Sequence, residues 1–115
     1  NEFELQSLYQ TNSYEEALGK LRHDCEFGAV TRDKRGSVVI NGDDVVHIEP
    51  EPVDQVVDAT GAGDMYAAGF LYGFTRGMKI EDCGRLGSLS ASEVITHVGP
   101  RPLVQLSSLI PNHLR

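Results

Sequence analysis

The stretch DATGAGDMYAAGF, residues 58–70, places Asp64 directly behind a Gly61-Ala62-Gly63 turn and ahead of an apolar run. Glycines at 61 and 63 permit backbone conformations that other residues avoid, so successive N–H groups at a helix N-terminus can converge on one anion. A carboxylate there repels a resting anion, but it is well placed to take the proton of a hydroxyl that attacks one. An electropositive backbone beside a base supplies the two tasks that phosphoryl transfer asks of a protein. The plainer reading is that Asp is favoured in the first turn of a helix, and chemistry alone leaves the two readings level. The Walker pattern G-x-x-x-x-G-K-[ST] and the protein-kinase patterns G-x-G-x-x-G and H-R-D are absent, which removes two familiar nucleotide-binding architectures.

The elements that must position this stretch are readable from spacing. Ser13 followed by Glu16 is a capping-box pattern, and Tyr14, Ala17, Leu18, Leu21 and Cys25 recur at helical spacing, predicting an amphipathic helix over about 14–25. FGAVT at 27–31 predicts a strand, and SVVI and DVVHI around Asn41-Gly42 predict a hairpin. VDQVV at 53–57 is a further strand candidate, leading into a helix from about 62 to 76 that Gly77 stops. That helix is apolar nearly all round, the pattern of a helix buried at the centre of a larger body. A second helix, about 79–97, clusters Gly84, Gly87, Ser88, Ala91 and Ser92, so something approaches its backbone closely, tight helix packing being the plainer explanation. Alternating elements of this kind predict an α/β sandwich with a largely parallel sheet.

Composition narrows the function classes. The chain has 115 residues, one small domain or a piece of a larger one, and a formal charge of −7 that disfavours a nucleic-acid surface. Its one basic cluster, Arg32, Lys34 and Arg35 around Asp33, reads as a solvated loop. Cys25 and Cys83 lack metal-site spacing and are expected as buried free thiols in a reducing compartment. With no leader-like pattern and no apolar run of membrane length, the expectation is a soluble, cytoplasmic protein without a membrane or nucleic-acid partner.

DATGAGDMYAAGF closely resembles the C-terminal signature of the ribokinase-like superfamily, the phosphofructokinase-B type of carbohydrate and nucleoside kinases, whose usual form is D-T-x-G-A-G-D. Ala59 stands in place of the common Thr, while Thr60, Gly61, Ala62, Gly63 and Asp64 fit. NEFE at 1–4 is similar to the family's N-x-x-E motif, and the resemblance gives Asn1 and Glu4 the task of organising Mg²⁺, through water, and the nucleotide phosphates. VTRDKRGSVV resembles the T-x-G-x-x-G segment near the ATP phosphates. Thr31 and Gly36 match, but Asp33 replaces the first glycine, so its side chain either meets phosphate or turns outward, with Lys34 or Arg35 close enough to compensate. ASEVITHVGPRPLV is similar to the family's last segment, where small residues such as Gly87 and Ala91 would leave room for the adenine base. By the same resemblance, Asp58, Thr60 and the backbone near Gly99 correspond to a site for a monovalent cation such as K⁺.

The resemblance spans the whole chain, yet it is to the C-terminal portion of a complete kinase only. Residues 1–115 are therefore expected to form the nucleotide-binding and catalytic portion of a partial ribokinase-like α/β sandwich, without the N-terminal part and lid. A missing N-terminal segment or a homo-oligomer would complete the core, and the portion alone would be inactive. The implied activity is ATP-dependent transfer of a phosphoryl group to a primary hydroxyl of a sugar or an adenosine-like nucleoside, with Asp64 as base and Gly61, Ala62 and Gly63 as anion hole. The alternatives are a non-catalytic nucleotide- or sugar-binding module and a structural fragment.

Overall fold

Short connections dictate the topology of the first fifty residues. In the computed structural model, which describes residues 1–115, the chain divides into two compact units, Asn1–Pro50 and Glu51–Arg115. The first holds helices α1 (Glu2–Leu8) and α2 (Tyr14–Asp24) and strands β1 (Phe27–Thr31), β2 (Ser37–Asn41) and β3 (Asp44–Ile48). The sheet order is β1-β2-β3, and both pairings are antiparallel. This corrects the expectation of a mostly parallel sheet for the strands this chain itself contains. Parallel neighbours need a crossover of a dozen or more residues, whereas β1 and β2 are joined through 32–36 and β2 and β3 through 42–43. Asn41 pairs with Asp44, so the turn centres on Gly42 and Asp43, with Gly42 at φ +60°.

The helix α2 forms as its spacing predicts. The Ser13 hydroxyl accepts the Glu16 N–H at 3.2 Å, but the Glu16 carboxylate turns to Thr11 Oγ1 (2.9 Å) and Lys20 Nζ (3.3 Å), so only half of the capping box closes. Ala17 is fully buried and joins Leu5 and Val30 in a small core flanked by Tyr9, Tyr14, Leu18 and Leu21. Cys25, expected to be buried, ends α2 at the surface, while Cys83 is buried as a free thiol.

The second unit is built on two helices, α3 (Ala62–Thr75) and α4 (Ile80–Val94). A Cβ at Gly69 would lie 2.3 Å from the Leu86 carbonyl oxygen, and one at Gly73 would lie 3.0 Å from Cys83 Sγ. The small residues are there because the two helix backbones touch. Gly77, at φ +71°, stops α3 by donating to the Phe74 carbonyl while Met78 donates to that of Gly73, a Schellman arrangement. The segment 53–57 forms no strand: Val57 donates to the Ile95 carbonyl at 2.8 Å, but no strand lies beside it to complete a ladder. The apolar surface of α3 is covered on one side only, and Leu71, Tyr72 and Phe74 remain exposed. No helix is long and apolar enough to cross a membrane.

Candidate functional site

The turn ahead of α3 is held open by a carboxylate. Asp58 Oδ1 accepts the backbone N–H of Thr60 at 2.9 Å and its hydroxyl at 2.6 Å, and Oδ2 accepts the N–H of Gly99 at 2.9 Å. These bonds, the Thr60 hydroxyl foremost and then Gly99 and the Thr60 amide, pull the Asp58 carboxyl down to about 2. Asp58 thereby ties the turn to the segment at 99–100. Gly61 then takes φ +81°, and a Cβ on it would lie 2.7 Å from Pro100 Cβ, so glycine is required there for backbone and for space.

The consequence is a set of unspent donors. Ala62 donates to the Ala59 carbonyl at 3.1 Å and Met65 to that of Gly61 at 3.0 Å, while the N–H groups of Gly61, Gly63 and Asp64 have no acceptor within the chain. Of the expected anion-hole residues, Gly61 and Gly63 keep free amides, as does Asp64 beside them, whereas the Ala62 N–H is spent on the Ala59 carbonyl. Gly63 sits in the first turn of α3 with nothing within 4 Å of where a Cβ would be. Neither backbone conformation nor packing within the chain demands glycine at that position. Asp64 itself is exposed, and its carboxylate has no side-chain partner.

Gly87 is placed differently from expectation. Its missing side chain accommodates α3, with the Tyr66 carbonyl oxygen 2.9 Å and the Tyr66 ring 3.1 Å from a would-be Cβ, so the space foreseen for a base is filled by Tyr66. Ala91, one turn on, stays partly exposed. Sequence reasoning overlooked Glu93 and His97, which pair at 2.9 Å one helical turn apart. Glu93 Oε1 also accepts the Leu103 N–H at 3.1 Å, fixing the tail, while its Oε2 is buried without a partner. The i, i+4 spacing of Glu and His was the available signal.

In the first unit, Asn1 and Glu4 form a reciprocal capping box: Asn1 Oδ1 accepts the Glu4 N–H at 2.9 Å and Glu4 Oε2 accepts from the Asn1 nitrogen at 2.7 Å. The N-x-x-E motif is thus also the start signal of α1. Nowhere in the chain do three His, Cys, Asp or Glu side chains gather as a metal cage. One exposed carboxylate with an amide oxygen beside it nevertheless suits Mg²⁺, which keeps most of its water and is commonly held by one or two carboxylates together with substrate phosphates. Thr31 ends β1 opposite Ser37, and Gly36 takes φ +85° with a would-be Cβ only 2.1 Å from the Ile48 carbonyl oxygen. Asp33 stands where the pattern has glycine and adopts glycine's left-handed conformation, φ +54°, with its side chain exposed and without a hydrogen-bond or ion-pair partner in the chain.

The basic loop is less solvated than its composition suggested. Glu2, 5% exposed, receives Arg32 Nε on Oε2 at 3.1 Å and Arg35 Nη2 on Oε1. The Arg32 guanidinium also lies 4.0 Å above the Tyr14 ring centre. Burial raises the pKa of Tyr14, a push that the Arg32 charge opposes. No spacing rule joins residues thirty positions apart, and only the folded β1-β2 connection brings them together.

Comparison with known proteins supplies the wider setting. Residues 1–105 match the model of the pfkB family carbohydrate kinases. An uncharacterized sugar kinase of Archaeoglobus fulgidus is 38% identical over 101 residues, 88% of this chain and 40% of that protein. The crystal structure of adenosine kinase from Sinorhizobium meliloti superposes with a TM-score of 0.91 at 48% identity, over 94% of this chain and 33% of that one. The Arabidopsis thaliana ribokinase structure complexed with ribose and ATP gives 0.82 at 28% identity, over 95% and 38%. The chain therefore spans well under half the length of the kinases it matches. The ribokinase-like α/β class read from the signature stands, with the antiparallel strands as the part of it present here, and the chain belongs to the pfkB family of carbohydrate kinases.

Proposed function

We propose that the chain is the catalytic and nucleotide-binding portion of an ATP-dependent kinase that phosphorylates a primary hydroxyl of a sugar or of an adenosine-like nucleoside. One observation carries this reading: the unpartnered Asp64 carboxylate stands beside unspent N–H groups of Gly61, Gly63 and Asp64. In the proposed step Asp64 accepts the acceptor hydroxyl's proton as that oxygen bonds to the γ-phosphorus. The bond from γ-phosphorus to the bridging oxygen breaks, and ADP leaves with the electron pair. The amides stabilise the negative charge on the equatorial oxygens without reorganising, because Asp58 and Pro100 already fix the turn.

Asn1 and Glu4 would hold hydrated Mg²⁺, which when bound neutralises charge on the nucleotide phosphates. Thr31 and Gly36 would border the phosphates, and Ala91 the base. A monovalent cation such as K⁺ at Asp58, Thr60 and the Gly99 backbone would use the lone pairs that Asp58 and Thr60 retain. Among acceptors, the likeness to an adenosine kinase favours adenosine.

The test is ATP- and Mg²⁺-dependent phosphorylation by the full-length protein of adenosine, ribose, fructose and fructose 6-phosphate. Turnover of adenosine is expected. Turnover of a sugar instead moves the protein to the carbohydrate branch, and ATP binding without turnover of any of the four favours a binding module or an acceptor outside this panel.

A further inference from the structure

Residues 96–103 run on from the end of α4 without entering another helix or strand, yet they border the turn whose amides stay bare. Gly99 N–H donates to Asp58 Oδ2 at 2.9 Å, and Pro100 Cβ lies 2.7 Å from where a Cβ on Gly61 would stand. An irregular stretch has no ladder of its own, so its place must be set by bonds from outside it.

Glu93, in the last turn of α4, supplies them. Its Oε1 accepts the Leu103 N–H at 3.1 Å and stands 2.9 Å from His97 Nε2, so one oxygen clasps the stretch on both sides of Gly99 and Pro100. The Glu93 side chain is 11% exposed and that of His97 13%, so water competes little for these bonds. Glu93 is itself anchored. Thr96 returns its N–H and its hydroxyl to the Glu93 carbonyl at 3.2 and 2.7 Å, and α4 rests on α3 through the contacts of Gly69 with Leu86 and Gly87 with Tyr66. The other carboxylate oxygen, Oε2, is buried without a partner and adds nothing to the clasp, which therefore needs a single acceptor oxygen.

We propose that Glu93 is a positioning residue for phosphoryl transfer: by clasping 97–103 it keeps Gly99 on Asp58 and Pro100 against Gly61, and so fixes the bare amides of Gly61, Gly63 and Asp64. This role rests on the kinase reading above, and every residue in it belongs to the unit Glu51–Arg115. Donors that stabilise developing charge must be in place before the charge appears, and a displacement of about 1 Å can cost about 100-fold in rate.

The deciding experiment is steady-state kinetics of the full-length protein and its Glu93→Ala, Glu93→Gln and Glu93→Asp variants, with ATP and acceptor varied separately. Melting temperatures and hydrogen exchange over 58–64 and 96–104, read by mass spectrometry, are measured in parallel. Glu93→Ala is expected to lower kcat about 10- to 100-fold, with both KM values within about threefold of wild type. Exchange should quicken in both segments, since Thr60 and Gly99 share the Asp58 carboxylate. Glu93→Gln, which keeps one acceptor oxygen, should restore kcat to within about threefold of wild type. A lowered melting temperature with unchanged kcat overturns the proposal and leaves Glu93 a stabilising contact. So does a Glu93→Gln variant as slow as Glu93→Ala, which would make charge the active feature. Exchange that quickens at 96–104 alone overturns it too, and that readout needs no acceptor. Should Glu93→Ala fail to fold, Glu93→Asp, which keeps the carboxylate but draws it back from Leu103, decides by the same kcat. A wild-type protein that neither binds nor consumes ATP would instead sink the kinase reading, and this role with it.

Discussion

The turn at 58–64 and the loop at 32–36 both carry an anion-facing expectation, and the chain builds them oppositely. At 58–64 an internal carboxylate takes up two backbone amides, those of Thr60 and Gly99, while those of Gly61, Gly63 and Asp64 are left bare. At 32–36 the N–H groups of Arg32, Arg35 and Gly36 are spent within the loop, and the Glu2 carboxylate takes up the side chains of Arg32 and Arg35, so that Arg35 and Lys34 are the cations exposed there beside Asp33. Bare amides give a fixed dipole at a fixed place, which suits charge that develops during a reaction. Guanidinium groups give net charge with longer reach, which suits holding a ligand that is already charged. On the proposed kinase reading, chemistry belongs to the first region and affinity to the second.

The sharpest way to break that assignment is Asp64→Asn. The carboxylate is exposed and unpartnered, so the fold should be indifferent to the change. Turnover should fall about 100- to 10,000-fold, the range for loss of a general base, with ATP affinity nearly unchanged. Calorimetric titration with ATP beside a turnover assay checks both halves, and retained turnover removes Asp64 from the mechanism.

Two glycines of the same turn separate structure from chemistry. Gly61→Ala forces a Cβ against Pro100 at a left-handed residue and should cost about 2–4 kcal/mol in urea unfolding. Gly63→Ala meets open space inside a helix and should stabilise the fold by about 0.5–1 kcal/mol. On the proposed reading its methyl group stands where the anion approaches, so activity should fall while stability rises. If Gly63→Ala leaves turnover intact, the unspent amides are not the anion hole.

Much of this contrast was legible in residue order. The limits of β1, the start of α2 and the place of α3 follow from short apolar runs and caps, which are local signals. Helix α1 escaped because seven residues are too few for periodicity, and its capping pattern coincides with a functional motif. The strand expected at 53–57 fails because a strand is defined by its neighbour, and none pairs with it in this chain. Gly87 was read as room for a base when its space belongs to Tyr66, a contact between two helices that composition cannot assign to a partner. The Glu2 cluster joins positions thirty apart and could be seen only in the folded chain.

The clamp that holds the first region has a pH signature. Asp58 is depressed to about 2 from an ordinary 3.8 by Thr60 and Gly99, so its contribution to stability is complete above about pH 4 and is lost as pH falls toward 2. Asp58→Asn should flatten the stability profile across that window and lower stability at neutral pH. An unchanged acid limb would mean that the clamp does not hold the turn.

The smallest expected effect tests the second region. Asp33 spends conformational energy on φ +54°, roughly 1 kcal/mol for a side chain that tolerates this region, and its carboxylate has no hydrogen-bond or ion-pair partner in return. Replacement by glycine removes that strain but loosens the unfolded chain, so a net gain of only about 0.5 kcal/mol is expected. The same change deletes a negative charge beside Lys34 and Arg35, which should tighten ATP binding by about twofold at low salt and fade as salt screens it. If the loop works through net charge, the two gains appear together at low ionic strength. A stability gain without any gain in affinity would place the loop's cations away from the phosphates and would reduce the comparison to one anion site, at the bare amides.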